Sequence, residues 1–404
     1  MNIKNKVKIE KLDDQGRGIG YLNNKIIFIP NTLIEEEVLI NITKETSKYY
    51  EGEVIEYLNK SNNRIEVECP YYNSCGGCNI MHMNYKDSID YKHNKLKNIL
   101  KKFSNINNDI EVIENKDIFN YRNKIELKII NKEWGYYNSK THNFIKIDNC
   151  LLAKHSINKV IEYKTLFNIN NGNITIRSNY NDEIILVINT EDKININVDK
   201  LKTIIKLVGI IINDKIYYGE KHFIEKYKDL YFKVNYNSFF QINEYITNKM
   251  IDILNDNIKG TNLLDLYCGV GFLGLSVHNN FNNIYGIEIN ENSVLDAINN
   301  AKLNNINNTY YMCGSSSNVV NKIKNNIDSI IVDPPRTGLF GNTINDILKI
   351  NAENLIYISC NPITLARDLN ILKSNYDINK IYLLDMFSNT YHFETMIFMK
   401  QKKN

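Results

Sequence analysis

From about Ser238 onward, strand-like and helix-like segments alternate along the chain, and this pattern predicts a parallel α/β sheet. Residues 263–267 form a candidate buried strand, and a turn that contains Gly269 and Gly271 leads from it into a helix. Three more strands are predicted at 284–288, 329–333 and 355–360. Ligands of such sheets bind outside the carboxyl ends of the strands, so the sequence predicts a pocket at that edge.

The first two strands predict a site for a cofactor that contains adenosine. Glu288 ends the second strand, about twenty residues after the glycine turn. At this spacing a carboxylate can accept hydrogen bonds from both ribose hydroxyls of a bound cofactor. The turn does not follow the G-x-G-x-x-G pattern, so an adenosine without a pyrophosphate fits better than a dinucleotide. A Rossmann-like domain with another ligand is the alternative.

The third strand ends in Asp333, and the two prolines that follow it fix the backbone that enters the predicted cleft. The sequence Asp333-Pro334-Pro335-Arg336 is of a type that recurs in methyltransferases acting on bases or amino groups. The alternative is an ordinary turn at the end of a strand.

Cys360 predicts covalent chemistry at the same edge, and Glu394 is a candidate base for that chemistry. A thiolate just past the fourth strand is a candidate nucleophile, although buried cysteines more often have a structural use. Glu394 lies between apolar residues, where a carboxylate is poised as a general base. The alternative is a structural role, in which the carboxylate only caps a helix or forms an ion pair. With a methyl donor, these groups predict one mechanism. Cys360 attacks C6 of uracil, C5 takes the methyl group, and Glu394 removes the C5 proton so that the thiolate leaves.

The length of 404 residues predicts more than one domain. Residues 1–58 contain about five short strands and suit an OB-like barrel, with or without a ligand. Residues 59–237 form a mostly β central domain that begins with a helix at about 85–103 and includes an amphipathic stretch at 198–212 expected to contribute a helix. Residues 238–404 form the α/β domain. The predicted fold class is therefore a combination of β and α/β domains.

Charge and hydropathy restrict the partners only weakly. A net charge of +3 does not by itself indicate a nucleic-acid partner, and the basic run at 93–102 is usually the solvated face of a helix. The N-terminus has no apolar signal segment, and no stretch of about eighteen apolar residues occurs. We therefore expect a cytoplasmic protein with no membrane span.

Three cysteines, Cys69, Cys75 and Cys78, lie within ten residues, and Cys150 follows far downstream. Disulfides are disfavoured in a reducing compartment, and zinc sites usually contain two paired C-x-x-C motifs where this chain has one. Four thiolates fit a [4Fe–4S] cluster, with zinc or no metal as the alternatives. In an iron–sulfur redox enzyme or a radical methylase, three cysteines would hold the cluster and one iron would stay open for the methyl donor. The presence of a fourth cysteine disfavours this alternative.

Taken together, these residues give a chain that resembles the RNA uracil-5-methyltransferase family, most closely the branch that modifies 23S ribosomal RNA. The resemblance extends over nearly the whole chain, and the motifs around Cys360 and Glu394 are specific in combination. It rests on an N-terminal barrel similar to a TRAM domain, the cysteine cluster, and Phe240-Gln241-Ile242-Asn243, Leu264-Asp265-Leu266-Tyr267-Cys268-Gly269, Asp333-Pro334-Pro335-Arg336, Ser359-Cys360-Asn361-Pro362 and His392-Phe393-Glu394-Thr395.

The resemblance implies a class I S-adenosylmethionine-dependent fold and a role for each matching residue. It implies that Cys360 is the nucleophile and Glu394 the base. The chain departs from the family at Phe272, where some members have a polar residue, and at 312–315, which lacks the acidic or amide residue often near the adenine. The resemblance also implies that the helix at 85–103 docks on the catalytic domain. The implied contacts with S-adenosylmethionine are Gln241, Tyr267, Gly269, Glu288 and Asp333, and the implied [4Fe–4S] ligands are Cys69, Cys75, Cys78 and Cys150.

The expected substrate is a loop or unstructured segment of RNA, because the target base has to leave its stack to reach Cys360. We expect 23S ribosomal RNA, no DNA, no membrane and a monomeric enzyme. One alternative is the same 5-methyluridine chemistry on the T-loop of transfer RNA, since some members with a cluster act there. Another is a non-catalytic RNA-binding or assembly factor that keeps the fold without the activity.

Overall fold

The structure is a computed structural model that describes residues 5–138, 141, 143–315 and 323–403. The chain divides into two compact units, both assembled from discontinuous segments. The first comprises Met1–Lys95, Tyr136–Ile145 and Phe387–His392, and the second comprises Leu96–Gly135, Lys146–Met386 and Phe393–Asn404. The three-domain division at residues 58 and 237 stays a prediction.

The first unit contains a six-stranded sheet around a small apolar core, which confirms the strand-rich N-terminal domain predicted from sequence. Its order is β1-β5-β6-β4-β3-β2, and alternate side chains such as Ile27, Ile29, Val38 and Ile40 are buried inside. Five strands coincide with the predicted ones, and the sixth, β2, has only two residues. The strands are β1 Asn5–Lys8, β2 Lys11–Leu12, β3 Gly18–Leu22, β4 Lys25–Ile29, β5 Glu37–Glu45 and β6 Tyr49–Asn59.

Helix α1 spans Tyr85–Ser104, which confirms the predicted helix to within one residue. Its start is capped by the Asn84 side chain, which accepts a hydrogen bond from the N–H of Asp87 at 2.9 Å. In the first unit, the half-buried Lys95 donates to the backbone oxygen of Tyr391 at 3.0 Å, so the basic run is not entirely a solvated face. In the second unit, the helical spacing of Leu96, Ile99 and Leu100 places them in its main core.

A seven-stranded sheet in the order β10-β9-β8-β11-β12-β13-β14 forms one part of the second unit, with the tip of the β9–β10 hairpin at 136–145 assigned to the first unit. A separate hairpin pairs β15 with β16. The strands are β8 Lys124–Ile130, β9 Glu133–Tyr137, β10 Phe144–Lys146, β11 Asn171–Ser178, β12 Glu183–Asn189, β13 Lys206–Ile212, β14 Lys215–Gly219, β15 His222–Tyr227 and β16 Leu230–Asn235, and the helices are α2 His155–Glu162 and α3 Val198–Ile204, with a 3₁₀ turn at Lys164–Leu166.

The predicted helix at 198–212 is wrong in its second half. Helix α3 ends at Ile204, and Lys206–Ile212 forms strand β13, which pairs in parallel with β12. The run Ile210-Ile211-Ile212 is β-branched and buried at its first two positions, a composition that favours a strand between two neighbours over a helix.

The predicted α/β domain is confirmed as an eight-stranded sheet in the order β19-β18-β17-β20-β21-β23-β22-β7. Strands β17 to β21 are parallel, whereas β23 runs antiparallel to both β21 and β22. The strand order reverses at β17, which is where ligands of such sheets bind. The strands are β7 Ile110–Ile113, β17 Gly260–Leu266, β18 Phe281–Glu288, β19 Thr309–Cys313, β20 Ser329–Val332, β21 Asn354–Ser359, β22 Tyr376–Leu384 and β23 Glu394–Gln401.

Among the residues that the structure describes, five helices accompany this sheet: α4 Glu244–Asn257, α5 Phe272–Ser276, α6 Glu291–Leu303, α7 Gly341–Ile350 and α8 Pro362–Leu372, with a 3₁₀ turn at His278–Asn280. Within the described residues, no helix combines the length and the apolar character needed to cross a membrane.

Candidate active site

The turn after β17 has the backbone shape of a ligand cradle. Tyr267, Gly269 and Gly271 all have positive φ values, of 63°, 53° and 81°. For Tyr267 this left-handed conformation costs roughly 1–2 kcal/mol, and such strain is concentrated at functional sites. A Cβ at Gly269 would meet no atom within 4 Å, so the turn is open at this residue, whereas a Cβ at Gly271 would lie 2.7 Å from the Tyr311 hydroxyl oxygen.

Glu288 is fixed beside this turn at the end of β18. Its Oε2 accepts a hydrogen bond from the N–H of Gly269 at 3.2 Å, and its Oε1 accepts one from the N–H of Asn290 at 2.8 Å. The half-buried carboxylate is therefore oriented by two backbone groups, as the prediction of a ribose-binding residue requires. The turn and the carboxylate fit the adenosine portion of S-adenosylmethionine.

Asp265 lies beneath the turn, within β17, and is fully buried. Its Oδ2 accepts a hydrogen bond from the N–H of Gly274 at 3.0 Å, which anchors the start of α5. Burial raises the pKa of Asp265 to about 7 against this hydrogen bond, and the negative charges of Asp333 and Glu288 add to the increase. Asp265 is therefore repelled by two neighbouring carboxylates, and a bound cation would reduce this repulsion.

Asp333 follows β20 directly, and burial raises its pKa to about 7. The next turn is closed by the N–H of Gly338, which donates to the backbone oxygen of Pro335 at 2.8 Å. Gly338 has a φ of +78°, and a Cβ on this residue would lie 2.6 Å from both the Arg367 and Asp368 side chains, so the position requires glycine.

The backbone around Arg336 is held from helix α8. Its carbonyl oxygen accepts hydrogen bonds from the Asn361 amide at 3.0 Å and the Thr364 hydroxyl at 3.2 Å. The Asn361 side chain also caps α8 by accepting from the N–H of Ile363, and Pro362 occupies the first turn. The turn that carries Arg336 is thereby fixed to the segment that carries Cys360.

Asp368 is a buried anchor for this turn, to which the sequence reasoning gave no role. It accepts hydrogen bonds from the N–H of Leu339 and the Tyr357 hydroxyl, both at 2.7 Å, and from the Arg367 guanidinium at 2.8 Å. Arg367 in turn donates to the backbone oxygen of Thr337 at 3.0 Å. The only sequence signal is that Arg367 and Asp368 follow shortly after the predicted nucleophile Cys360.

Cys360 lies just past the end of β21, half-buried, and β21 pairs antiparallel with β23 so that Ser359 faces Thr395. This register brings Cys360 next to Glu394. Burial raises the pKa of the Cys360 thiol to about 11, and the charge of Glu394 adds to the increase. The positive charge of Arg336 acts in the opposite direction and lowers the pKa of the thiol.

Glu394 begins β23 and is buried, with Leu384 of β22 as its partner across the sheet. Its Oε2 has no hydrogen-bond partner in the part of the chain that the structure describes. Burial raises the pKa of Glu394 well above its usual range, Asp333 raises it further, and Arg336 lowers it. Cys360, Glu394, Asp333 and Arg336 therefore form one group of interacting charges, and Arg336 is its cation.

Gln241 lies in a separate loop between β16 and α4. Its backbone oxygen accepts a hydrogen bond from the Asn123 amide at 3.0 Å, and Asn243 caps α4 two residues later. The buried Arg177 fixes the start of the loop by donating to the backbone oxygens of residues 235, 236 and 238 at 2.9–3.1 Å. Phe272, found where some family members have a polar residue, packs against Phe240 at 4.8 Å between ring centroids.

The four predicted cluster ligands fall in both units. Cys69, Cys75 and Cys78 belong to the first unit and Cys150 to the second, and all four are half-buried. Across the described residues, no group of three or more histidine, cysteine, aspartate and glutamate side chains is arranged to hold a metal ion. The [4Fe–4S] cluster therefore stays a prediction that the structure does not support.

Comparison with known proteins identifies the chemistry to which this geometry corresponds. A family model described as tRNA (uracil-5-)-methyltransferase matches residues 84–402, and a TRAM domain model matches residues 5–55. Proteins described as uncharacterized RNA methyltransferases are 31% identical in Clostridium tetani, over 97% of this chain and 95% of the relative, and 31% identical in Aquifex aeolicus, over 98% of both.

Among solved structures, the chain is similar to the Pyrococcus abyssi tRNA (uracil-54, C5)-methyltransferase in complex with S-adenosyl-L-homocysteine. The TM-score is 0.80 at 25% sequence identity, and the match covers 98% of this chain and 99% of that one.

Proposed function

The chain belongs to the family of S-adenosylmethionine-dependent RNA uracil-5-methyltransferases, and from this premise we propose that it methylates C5 of a uridine in 23S ribosomal RNA through a covalent adduct with Cys360. The observation that carries the proposal is the placement of a thiol and a buried carboxyl group side by side at the ligand-binding edge of the sheet, with Arg336 acting on both. The methyl donor supplies an electrophilic methyl group on a sulfonium.

Cys360 acts in this proposal as the nucleophile that makes C5 reactive. Its thiolate adds to C6 of the uracil and forms a C–S bond, while the electrons of the C5=C6 double bond move to give an enolate. C5 would then form a bond to the methyl group as the bond between that group and the sulfonium sulfur breaks, with S-adenosyl-L-homocysteine as the leaving group. The charge of Arg336 favours the thiolate over the thiol and so opposes the effect of burial on the pKa of Cys360.

Glu394 completes the reaction as the general base. It removes the proton from C5, the electrons of that C–H bond restore the C5=C6 double bond, and the thiolate leaves C6. Burial favours uptake of this proton because the protonated carboxyl group is neutral, and the charge of Arg336 favours the carboxylate form that Glu394 needs before it can act as the base. Both side chains are regenerated once Glu394 releases its proton.

The cofactor is held in this proposal by residues of the two neighbouring turns. Glu288 would bind the ribose hydroxyls, Gly269 would leave room for the ligand, and Asp333 would contact the cofactor close to the target base. Tyr267 and Gln241 add further contacts. The supporting observations are the hydrogen bond from Gly269 to Glu288 and the open space above Gly269.

The choice of ribosomal RNA rests on the resemblance of the N-terminal TRAM domain and the cysteine motif to the branch of the family that modifies 23S ribosomal RNA. Transfer RNA is the second candidate, favoured by the similarity to a tRNA (uracil-54, C5)-methyltransferase over nearly the whole chain. Either RNA has to present its uridine unstacked.

Methylation of purified RNA in vitro tests the target. With labelled S-adenosylmethionine, we expect 5-methyluridine in unmodified 23S ribosomal RNA and none in unmodified transfer RNA, as measured by mass spectrometry of nuclease digests. Incorporation into transfer RNA alone would contradict the ribosomal assignment. No incorporation into any uridine-containing RNA would contradict the enzymatic role and favour an assembly factor.

Iron analysis tests the predicted cluster. We expect anaerobically purified protein to be brown and to contain four iron atoms per chain, the content of one [4Fe–4S] cluster, and Cys69→Ser to lose iron. Because the methylation steps involve no electron transfer, this substitution should reduce folding or RNA binding before it reduces chemistry. A colourless protein loaded with zinc, or one free of metal, would contradict the cluster.

A further inference from the structure

Asn300 of helix α6 and Asn304, the residue that caps the C-terminal end of this helix, both pair with strand β16. The Oδ1 of Asn300 accepts the N–H of Lys233 at 2.7 Å, and its Nδ2 donates to the Lys233 oxygen at 3.2 Å. Asn304 repeats this arrangement with the N–H and oxygen of Tyr231, at 2.8 and 2.7 Å. The two asparagines are four residues apart and so lie on one face of the helix, and Lys233 and Tyr231 are two residues apart on one edge of the strand. The two side chains therefore make the hydrogen bonds that the backbone of a neighbouring strand would make.

Asn300 differs from Asn304 in one contact. Its Nδ2 also donates to the backbone oxygen of Val270 at 3.0 Å, within the turn between Gly269 and Gly271. The corresponding additional bond of Asn304 goes to the backbone oxygen of Asn300 at 2.8 Å, inside its own helix.

The position of Asn300 is unfavourable for an asparagine unless these bonds are made. The residue is fully buried within a helix, where asparagine has a poor propensity and an unpaired amide costs free energy. All of its polar capacity is directed to the backbone of two other segments, β16 and the glycine turn. A side chain needed only to attach α6 to β16 would not require the third contact, as Asn304 demonstrates.

We propose that Asn300 is a positioning residue for cofactor binding, which acts by holding the carbonyl of Val270 and thereby the turn at Gly269 and Gly271. This inference rests on the proposed cofactor role of that turn. Both glycines have left-handed backbone conformations. Because glycine populates many other conformations, a turn without restraints would not stay in this one. Fixing the peptide between them keeps the open side of Gly269 available and its N–H directed at Glu288.

The experiment compares Asn300→Ala with Asn304→Ala in the full-length protein. Both variants lose a two-bond contact with β16, but only the first releases Val270. We expect the dissociation constant for S-adenosyl-L-homocysteine, measured by calorimetry, to rise about tenfold in Asn300→Ala and to stay within about twofold of wild type in Asn304→Ala. The KM for S-adenosylmethionine should rise likewise in Asn300→Ala, while kcat at saturating cofactor and the KM for RNA stay unchanged.

Equal losses of affinity in the two variants, or unchanged affinity in Asn300→Ala, would overturn the inference and leave Asn300 a purely structural residue. If Asn300→Ala does not fold, Asn300→Asp provides the same test. It keeps the acceptor for the Lys233 N–H and turns a carboxyl oxygen toward the Val270 oxygen, so it should also weaken binding at least tenfold. A wild-type protein that does not bind S-adenosyl-L-homocysteine would instead overturn the proposed function itself.

Discussion

Replacing Cys360 by alanine is expected to abolish methyl transfer, with a decrease in rate of at least about 10⁴-fold. The reason is chemical, since C5 of uracil takes a methyl group only after a nucleophile has added to C6. The variant should also lose the covalent complex with RNA. Turnover measured with labelled methyl donor and a denaturing gel that separates free from RNA-bound protein check the two expectations.

The control for this substitution is cofactor affinity. Cys360 follows the end of β21 and takes no part in the hydrogen bond between Gly269 and Glu288, so Cys360→Ala should bind S-adenosyl-L-homocysteine as the wild type does. Measurable turnover in a variant that binds the cofactor normally would contradict the covalent mechanism.

The pH dependence of the same step follows from the raised pKa of Cys360. With a pKa of about 11 the group is mostly a neutral thiol at pH 7, and the thiolate fraction grows with each unit up to that value. Adduct formation should therefore accelerate as pH rises from about 7 to about 10. A rate constant that falls over this range would show that the thiolate population does not limit the step.

Much of the site could be predicted because strand ends in a parallel sheet share one edge. Glu288, Asp333 and Cys360 each follow a buried strand in sequence, and that alone places them at the same edge. Helix α1 was predicted to within one residue because its apolar spacing is helical over five turns. Such patterns are local, and each depends on a single stretch of chain.

The remaining features depend on segments far apart in sequence. Glu394 reaches Cys360 only because β23 inserts antiparallel beside β21, a topology that no local pattern indicates. The actions of Arg336 on both groups, and of Asn300 on the cofactor turn, depend on side-chain directions that a sequence does not give. Strand β13 was predicted as helix because the apolar stretch of helix α3 continues directly into the strand.

Glu394→Gln is expected to accumulate the covalent complex instead of preventing it. The amide cannot take the C5 proton, so methylation of C5 proceeds and elimination of the thiolate slows by about 10²–10⁴-fold. A denaturing gel should therefore reveal more RNA-bound protein than in the wild type, and the complex should contain the transferred methyl label. Glu353→Gln is the matched control, because Glu353 is an exposed carboxylate that pairs with Lys400 at 3.6 Å, near the other end of β23. Normal turnover of Glu394→Gln would remove Glu394 as the base.

The same substitution should change the pH dependence of stability. The folded-state pKa of Glu394 lies above its unfolded value, so the folded protein keeps a proton that the unfolded chain has released. Between the two pKa values the free energy of unfolding of the wild type then falls as pH rises. Glutamine carries no such proton, and Glu394→Gln should gain stability relative to the wild type from pH 5 to pH 8 in denaturant titrations. A stability difference that stays constant over this range would contradict a buried, titrating Glu394.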